Sequence, residues 1–518
     1  MYRPVVLAVL DGWGISQSKL GNAIAEANLP TIAKLDQLYP HITLQASGIS
    51  VGLPWGEEGN SEVGHITLGA GKIIYQNLPR ITMAIQNESF FQNPALLKAT
   101  EHAQKNSSAL HLMGLVGKGA VHSHIDHLYA LLNLAKKQGV QKLFLHIFTD
   151  GRDSSPTSGA GVIRELQEKL KEIGLGKIAT LGGRNFGMDR NNNWDRIAKA
   201  YNAIAKGEGL KITDPIKYLE ECYKKEQSDE YIEPAVIIEV SSPVAVVQEN
   251  DAVIFFNFRE DRAREITKAF VLPDFKDFPR EPIKNLCFVT FTQYEEGLPV
   301  EVAFAPEKVK KCLGSVLAEN NLKQLRISET EKFAHVTYFF NGGNEDPFPG
   351  EDRIIVPSVT TDTFDKVPEM SAAKITDKVI DSLKNKDYAF ILINYANADM
   401  VGHTGNEKAT IKAIEALDNN LTRLIPEVLL KGGCLLVTSD HGNAEEVLNS
   451  LTGEINTQHS TNPVPLWLIT PENHGKRNLN PDAEPKGLLS DIAPTILELL
   501  NLPKPPEMTG ESLLDFLK

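Results

Sequence analysis

Long apolar runs are missing from this 518-residue sequence, and no stretch approaches the roughly 20 residues that would span a bilayer. A membrane role is therefore not expected. Cysteine is scarce. The four present (Cys222, Cys287, Cys312, Cys434) have no metal-type spacing and fit reduced, buried thiols in a cytoplasmic protein. A positive balance is absent too: 53 Lys and Arg face 67 Asp and Glu, a net charge of −14, which argues against nucleic acid as a partner. There is no internal repeat and no low-complexity tract. The opening "MYRPVVLAVLDGWG" has no cleavage site and leads straight into Asp11, so it reads as a buried strand and not as a leader. Two familiar motifs are also missing. "GHITLGAGK" lacks the Walker spacing. "GNSEVGH" is not an esterase elbow, because its second glycine comes one place too late after Ser61.

What remains is an ordinary globular composition, 42% hydrophobic and 23% charged, at a length that suggests two or three domains. Several apolar runs end in acidic residues: "VVLAVLDGWG" at Asp11, "FILINYANADM" at Asp399, "GGCLLVTSDHGN" at Asp440 and His441. Continuous apolar runs are typical of parallel strands covered on both faces. Helical patterns such as "EKATIKAIEALDNNLTRLIPEVLLK" and "DIAPTILELLN" alternate with them, which predicts an α/β sheet flanked by helices. The middle of the chain repeats this alternation, with strand-like "SALHLMGLVG", "KLFLHIFTDGRD", "GKIATLGGR" and "DAVIFFNFRED". The expected architecture is one domain built from both chain ends (1–76 and 307–518), with a second α/β domain (77–306) inserted. Connectors are expected near 75–80 and 296–308.

Ligands gather beyond the carboxyl ends of strands in such sheets, so three acid-terminated strands form a candidate site. Its possible metal ligands are Asp11, Ser61, Asp399, His403, Asp440, His441 and His459. Asp399 and His403 are four apart and would share a helical face. Carboxylates mixed with imidazoles suit Mn²⁺ or Zn²⁺ better than Ca²⁺ or Mg²⁺, and seven ligands suit two ions. Alone, "GNSEVGH" would read as a surface turn in which Asn60 and Ser61 bond their own backbone. Beside a metal site, Ser61 becomes a candidate nucleophile, because a divalent cation lowers the pKa of a bound hydroxyl.

The middle section supplies Arg152, Arg184, Arg190, Arg259 and Arg262, each near the end of a strand-like run. Arginine's planar fork matches phosphate and carboxylate, although each could simply pair with Asp153, Asp189 or Asp261. Lys332, beside an apolar strand, would ordinarily read as solvated. "HSHIDH" (122–127) matches the H-x-H-x-D-H pattern of dizinc metallo-β-lactamases. Of further histidines in the middle section, however, only His146 follows it, which is too few for that site.

Taken together, "LDGWG", "GNSEVGH", "VHSHIDHL", "TDGRD", "MDR", "NFREDRAR", "ETEKFAHVT", "VPEMSA", "NADMVGHTG", "TSDHGNAE" and "HSTNPVP" resemble, nearly end to end, the cofactor-independent (2,3-bisphosphoglycerate-independent) phosphoglycerate mutases of the alkaline phosphatase superfamily. The resemblance implies a phosphatase-like domain from both chain ends with an inserted transferase domain. It implies an isomerase of glycolysis and gluconeogenesis that interconverts 3-phosphoglycerate and 2-phosphoglycerate through a phosphoserine at Ser61, without 2,3-bisphosphoglycerate. One Mn²⁺ would be held by Asp11, Ser61, Asp440 and His441, and the other by Asp399, His403 and His459. Arg259, Arg262 and Lys332 would hold the phosphoryl group. His122, Arg152, Asp153, Arg184 and Arg190 would hold the glycerate, with Asp153 as acid/base. The expected partner is a small-molecule substrate, and the expected state a cytoplasmic monomer. Departures from the family's usual pattern are "GRNFGMDR", Glu260 in place of proline, and Ser154-Ser155 in place of Thr-Pro; none removes a proposed functional side chain. A plain phosphatase or a non-catalytic binding module are the competing classes.

Overall fold

The computed structural model describes residues 2–449, 452–476 and 484–517. The chain forms two compact units, Met1–Gln76 with Glu307–Lys518, and Asn77–Pro306. Both are α/β.

The first unit is built on a sheet of eight described strands. They lie in the order Glu351–Val356, Gln324–Glu329, Phe390–Tyr395, Val5–Leu10, Cys434–Thr438, Val464–Ile469, His41–Gln45, Gly487–Leu488. The first five run parallel. The apolar runs of Val5–Leu10, Phe390–Tyr395 and Cys434–Thr438 follow from burial on both faces. Val5, Leu7 and Val9 pack into one core with Phe390, Leu392 and Leu436. Val6, Ala8 and Leu10 pack into another with Ile391, Ile393 and Val437. Alternation along each strand thus fills two cores at once. At roughly 1.5–3 kcal/mol per fully buried aliphatic side chain, these two cores dominate the stability of the unit. Four adjacent parallel strands end side by side, and the segments beyond their carboxyl ends carry Lys332, Asp399, Asp11 and Asp440.

The second unit carries a sheet with the strand order Glu301–Phe304, Cys287–Thr292, Ala252–Phe255, Leu110–Val116, Leu143–Thr149, Lys177–Gly183, Ala235–Glu239, Leu210–Ile212. Its apolar strands contain two buried histidines, and both are satisfied internally. His111 Nε2 lies 3.1 Å from Asp251 Oδ2, and His111 Nδ1 lies 2.9 Å from His146 Nε2. His146 Nδ1 meets Thr180 Oγ1 at 2.9 Å. The central strands again end together, just before Arg259, His122, Arg152 and Arg184.

The expected connectors are partly regular structure. Residues 77–80 open the helix Asn77–Gln86, whose Pro79 sits in the first turn, where a missing N–H costs nothing. Within 296–308, Glu301–Phe304 is a strand paired with Cys287–Thr292. Its side chains Ala303 and Phe304 pack on the core of the second unit. Among the described residues, no helix is long and apolar enough to cross a membrane.

Buried histidines make the second unit acid-sensitive. Burial, and then neighbouring His124, push His127 down to about 3. The unfolded chain therefore binds a proton between about pH 6.5 and 3 that the folded chain refuses, so stability falls as pH drops through that window. Relative to His127→Gln, the wild type should lose about 2 kcal/mol between pH 7 and pH 5. Urea midpoints of both proteins at the two pH values test this; a gap between them that does not change with pH contradicts it.

Candidate metal centre and arginine cluster

Three of the acids ending strands of the first unit are fully buried: Asp11, Asp399 and Asp440 are at most 2% exposed. Asp399 lies in the short helix Asn397–Gly402, which brings His403 one turn along beside it. Ser61 is not in a surface turn. It is the first residue of the helix Ser61–Ala70, with Asn60 as the cap accepting from the Val63 amide. It is also buried. Asn60 favours a helix start because its side chain replaces a missing intrahelical acceptor.

Lys332 is buried as well, against the ordinary expectation for lysine. Its Nζ lies 2.7 Å from Asp11 Oδ1, 2.7 Å from Asp399 Oδ2 and 2.6 Å from Ser61 Oγ. Ser61 Oγ also stands 3.2 Å from Asp11 Oδ1 and 2.9 Å from His441 Nε2. His441 Nε2 is 3.7 Å from Asp440 Oδ2 and 4.0 Å from Asp399 Oδ1. At the outer edge, Asp399 Oδ1 lies 3.2 Å from both His403 Nε2 and His459 Nε2. The structure thus brings Asp11, Ser61, Lys332, Asp399, His403, Asp440, His441 and His459 into one cluster.

The carboxylates hold positive charge on Lys332, His403 and His441. Burial alone would raise Asp11 and Asp399, but Lys332 and the imidazoles outweigh it and hold both well below the usual carboxylate range. Burial would lower His441, but Asp440, Asp11 and Asp399 overcome this and lift it to about 10. Asp399 raises His403.

Two observations fit a metal ion here. Asp440 Oδ2 is buried and takes part in no hydrogen bond, although His65 Nδ1, which faces the Ser61 carbonyl, lies only 3.1 Å away. His403 Nδ1 faces the Thr457 carbonyl at 2.8 Å, and His459 Nδ1 faces the Gly59 carbonyl at 2.7 Å. Each Nδ1 must then donate, so in the neutral form of the two rings, the form that binds metal, the Nε2 lone pairs face one another at 3.0 Å. A cation between them and Asp399 would satisfy all three. Outer partners that fix imidazole tautomers are characteristic of metal ligands.

His65 was not apparent from the spacing, although it lies one helical turn beyond Ser61. It groups with Asp11 and Asp440. Both of its nitrogens are engaged, Nδ1 with the Ser61 carbonyl at 2.9 Å and Nε2 with Asn394 Nδ2 at 3.1 Å. Asn394 Nδ2 in turn donates to Asp11 Oδ2 at 2.7 Å. This layer supports the ligands from beneath.

The second unit gathers the arginines. Arg184, 2% exposed, reaches Asp150 Oδ1 at 2.6 Å and also Asp153. Asp150, in the quoted "TDGRD", ends its strand as Asp11 does, yet no separate role was read for it. Arg190 and Arg259 both pair with Asp261, at 2.7 and 3.1 Å. His122 lies 3.8 Å from Asp153 and 3.7 Å from Asp261. Arg152 is the outlier, facing Glu230 at 3.6 Å. Burial, and then Arg184, push His122 down to about 4, so its imidazole is neutral at neutral pH. Burial and the crowding of Arg184, Arg190 and Arg152 lower Arg262. An anion would relieve that crowding. "HSHIDH" is no metal site: His124 caps the helix Ile125–Lys137, and His127 is buried on Thr82.

Comparison with known proteins gives a consistent picture. Residues 81–296 match the family described as BPG-independent PGAM N-terminus. The chain is 50% identical over 514 residues to a 2,3-bisphosphoglycerate-independent phosphoglycerate mutase of Clostridium perfringens (strain 13 / Type A), covering 99% of each chain. It is 47% identical over 534 residues to the protein of that name from Chloroflexus aggregans, covering 99% of this chain and 98% of the relative. A crystal structure of Leishmania mexicana phosphoglycerate mutase at low cobalt concentration is similar with a TM-score of 0.53 and 29% identity, covering 99% and 97% of the two chains.

Removing the buried ammonium should unbalance the carboxylates. Lys332→Met is expected to destabilise the chelator-treated protein by about 3–5 kcal/mol, and excess Mn²⁺ should recover part of that loss. Urea unfolding with and without chelator measures both. An unchanged midpoint in chelator would show that the ammonium does not neutralise the cluster.

Proposed function

The chain belongs to the 2,3-bisphosphoglycerate-independent phosphoglycerate mutase family and is an isomerase, and from that premise we propose that it interconverts 3-phosphoglycerate and 2-phosphoglycerate through a phosphoserine at Ser61. The observation that carries this reading is the setting of Ser61 Oγ, within 3.2 Å of Asp11, His441 and Lys332. A buried hydroxyl held against an ammonium, a carboxylate and an imidazole is poised to react.

Divalent cations, most simply two Mn²⁺, would supply a lowered hydroxyl pKa and charge neutralisation for the transferred group. Asp11, Ser61, Asp440 and His441 would hold one, and Asp399, His403 and His459 the other. The residues do the rest. Ser61 Oγ, its proton already released to water, attacks phosphorus in line as the bond from phosphorus to the glycerate oxygen breaks. Lys332 is held protonated by Asp11, Asp399 and Asp440 despite its burial, so it acts as a fixed positive charge beside the attacking oxygen and not as a base. The first turn of the helix Ser61–Ala70 directs its free amides and positive dipole end toward the phosphorylated serine.

The arginine cluster takes the substrate's anionic groups. Arg259 and Arg262 hold the phosphoryl group with Lys332, while His122, Arg152, Arg184 and Arg190 hold the glycerate. Asp153, oriented by Arg184, gives a proton to the departing glycerate oxygen. It then removes one from the other hydroxyl, which attacks the phosphoserine and restores Ser61. Proton and phosphoryl group are both returned, so no 2,3-bisphosphoglycerate is consumed. Retaining the glycerate between the two transfers is what separates a mutase from a phosphatase, and the bidentate forks of the arginines suit that task. On this reading the chain acts as a monomer. Four free thiols suit the cytoplasm, where glycolysis and gluconeogenesis run.

Ser61→Ala should lower the mutase rate by on the order of 10⁴-fold or more and abolish phosphate incorporation into the peptide containing residue 61. Mass spectrometry of the protein and of products from 3-phosphoglycerate reads both. Release of free phosphate by the wild type without 2-phosphoglycerate would identify a hydrolase, and retention of mutase activity in Ser61→Ala would remove the phosphoserine path.

A further inference from the structure

Glu445 follows the ligand pair Asp440–His441 in "SDHGNAEE" and looks in sequence like a solvated acid. In the structure it is 1% exposed. No cation neutralises it among the described ion pairs. Its carboxylate is instead saturated by four hydrogen bonds. Oε2 accepts from the Gly14 amide at 2.9 Å and the Asn443 amide at 2.9 Å. Oε1 accepts from Asn462 Nδ2 at 3.0 Å and from Ser460 Oγ.

These four donors have one property in common: each lies within three residues of a proposed metal ligand. Gly14 is three residues beyond Asp11. Asn443 is two beyond His441, and its own Nδ2 donates to Asp399 Oδ1 at 3.0 Å. Ser460 directly follows His459, and Asn462 is three beyond it. One carboxylate thus joins the three loops that carry Asp11, Asp440–His441 and His459, and reaches Asp399 through Asn443. A backbone bridge between Gly442 and Ser460 runs beside it.

Two glycines give way to it. A Cβ on Gly14 would lie 2.2 Å from Glu445 Cδ, and a Cβ on Gly442 would lie 2.3 Å from Glu445 Oε1. Real Cβ atoms do not approach so closely. The glycines of "LDGWG" and "DHGN" are therefore explained at these positions by the space the carboxylate occupies. A structural acid whose only task is to fill a core would not need donors from three separate ligand loops.

We propose that Glu445 is the positioning residue of the metal centre, fixing the spacing of both halves of the ligand set through its four hydrogen bonds. It touches neither substrate nor cation. This rests on the reading that the cluster holds divalent cations.

The test is titration of the metal-free protein with Mn²⁺, followed by calorimetry, at a temperature where circular dichroism shows wild type and variant equally folded. Glu445→Gln keeps the volume but replaces one acceptor with a donor. It should weaken Mn²⁺ binding by about 10–100-fold and shift the Mn²⁺ dependence of activity to higher concentration, with activity recovering at saturating Mn²⁺. A purely structural role would lower the melting temperature and leave the affinity of the folded protein unchanged. That result would overturn the proposal. If Glu445→Gln does not fold, Ser460→Ala/Asn462→Ala severs only the bonds to the His459 loop. It should weaken the half of the site formed by Asp399, His403 and His459 and spare the other, and wild-type affinity in both halves would equally overturn the proposal. Wild type that takes up no Mn²⁺ would instead overturn the two-cation reading, and this inference with it.

Discussion

Three carboxylates buried in one place set the terms for the first unit. Asp11, Asp399 and Asp440 lie beyond the ends of neighbouring strands, out of reach of water. Taking even one such charge from water costs several kcal/mol unless partners repay it. Nearly every polar feature around them answers that demand. Lys332 gives up its hydration to sit among them, His403 and His441 are pushed toward their charged forms, and Asn394 and Asn443 turn amide hydrogens onto them. Such a concentration of negative charge persists only where cations are drawn in, which is why the cluster reads as a metal centre and not as a set of unrelated polar contacts.

The second unit solves the opposite problem. Arg184, Arg190, Arg259 and Arg262 gather beyond the ends of its central strands, and Asp150, Asp153 and Asp261 hold them apart. The pairing keeps the guanidinium forks oriented while leaving more positive than negative charge locally. Burial keeps His122 uncharged, so it adds hydrogen bonding without adding to the repulsion. One unit thus gathers carboxylates and imidazoles and the other arginines, although each rests on the same parallel-sheet plan. The shared reason is that strand ends in a parallel sheet present a row of loops whose side chains can be chosen freely, while the strands beneath stay apolar.

Much of this was legible in the sequence. The central strands Val5–Leu10, Phe390–Tyr395 and Cys434–Thr438 of the first sheet, and Leu110–Val116, Leu143–Thr149, Lys177–Gly183 and Ala252–Phe255 of the second, announced themselves as apolar runs, because burial on two faces removes the need for polar alternation; strands such as Gln324–Glu329 and Glu351–Val356, with charged residues inside them, did not. Asp11, Asp399 and Asp440 stood out because an acid at the end of such a run has no role in the core. The i, i+4 spacing of Asp399 and His403 was local and needed no fold to be read. The connectors were less clear: Glu301–Phe304 is a strand because a neighbouring strand was available to pair with it, and that neighbour cannot be seen in "VEVAF" itself.

Other features came only from tertiary structure. The strand Val5–Leu10 lies between Phe390–Tyr395 and Cys434–Thr438, partners 385 and 429 residues away. No local pattern encodes that order, yet it is what places Asp11 between Asp399 and Asp440. The same holds for Lys332, a lysine whose burial depends entirely on carboxylates brought in from elsewhere. It holds for His65 and Asn394, whose roles lie in bonds across the sheet, and for Glu445, which in "NAEE" is indistinguishable from the exposed acids of a surface turn. The sequence by itself determined the central strands and which residue types cap them, because those follow from short-range periodicity and burial. The fold alone decided which of those caps meet, because that depends on the order of strands in the sheet, and contact across hundreds of residues leaves no trace in the local sequence.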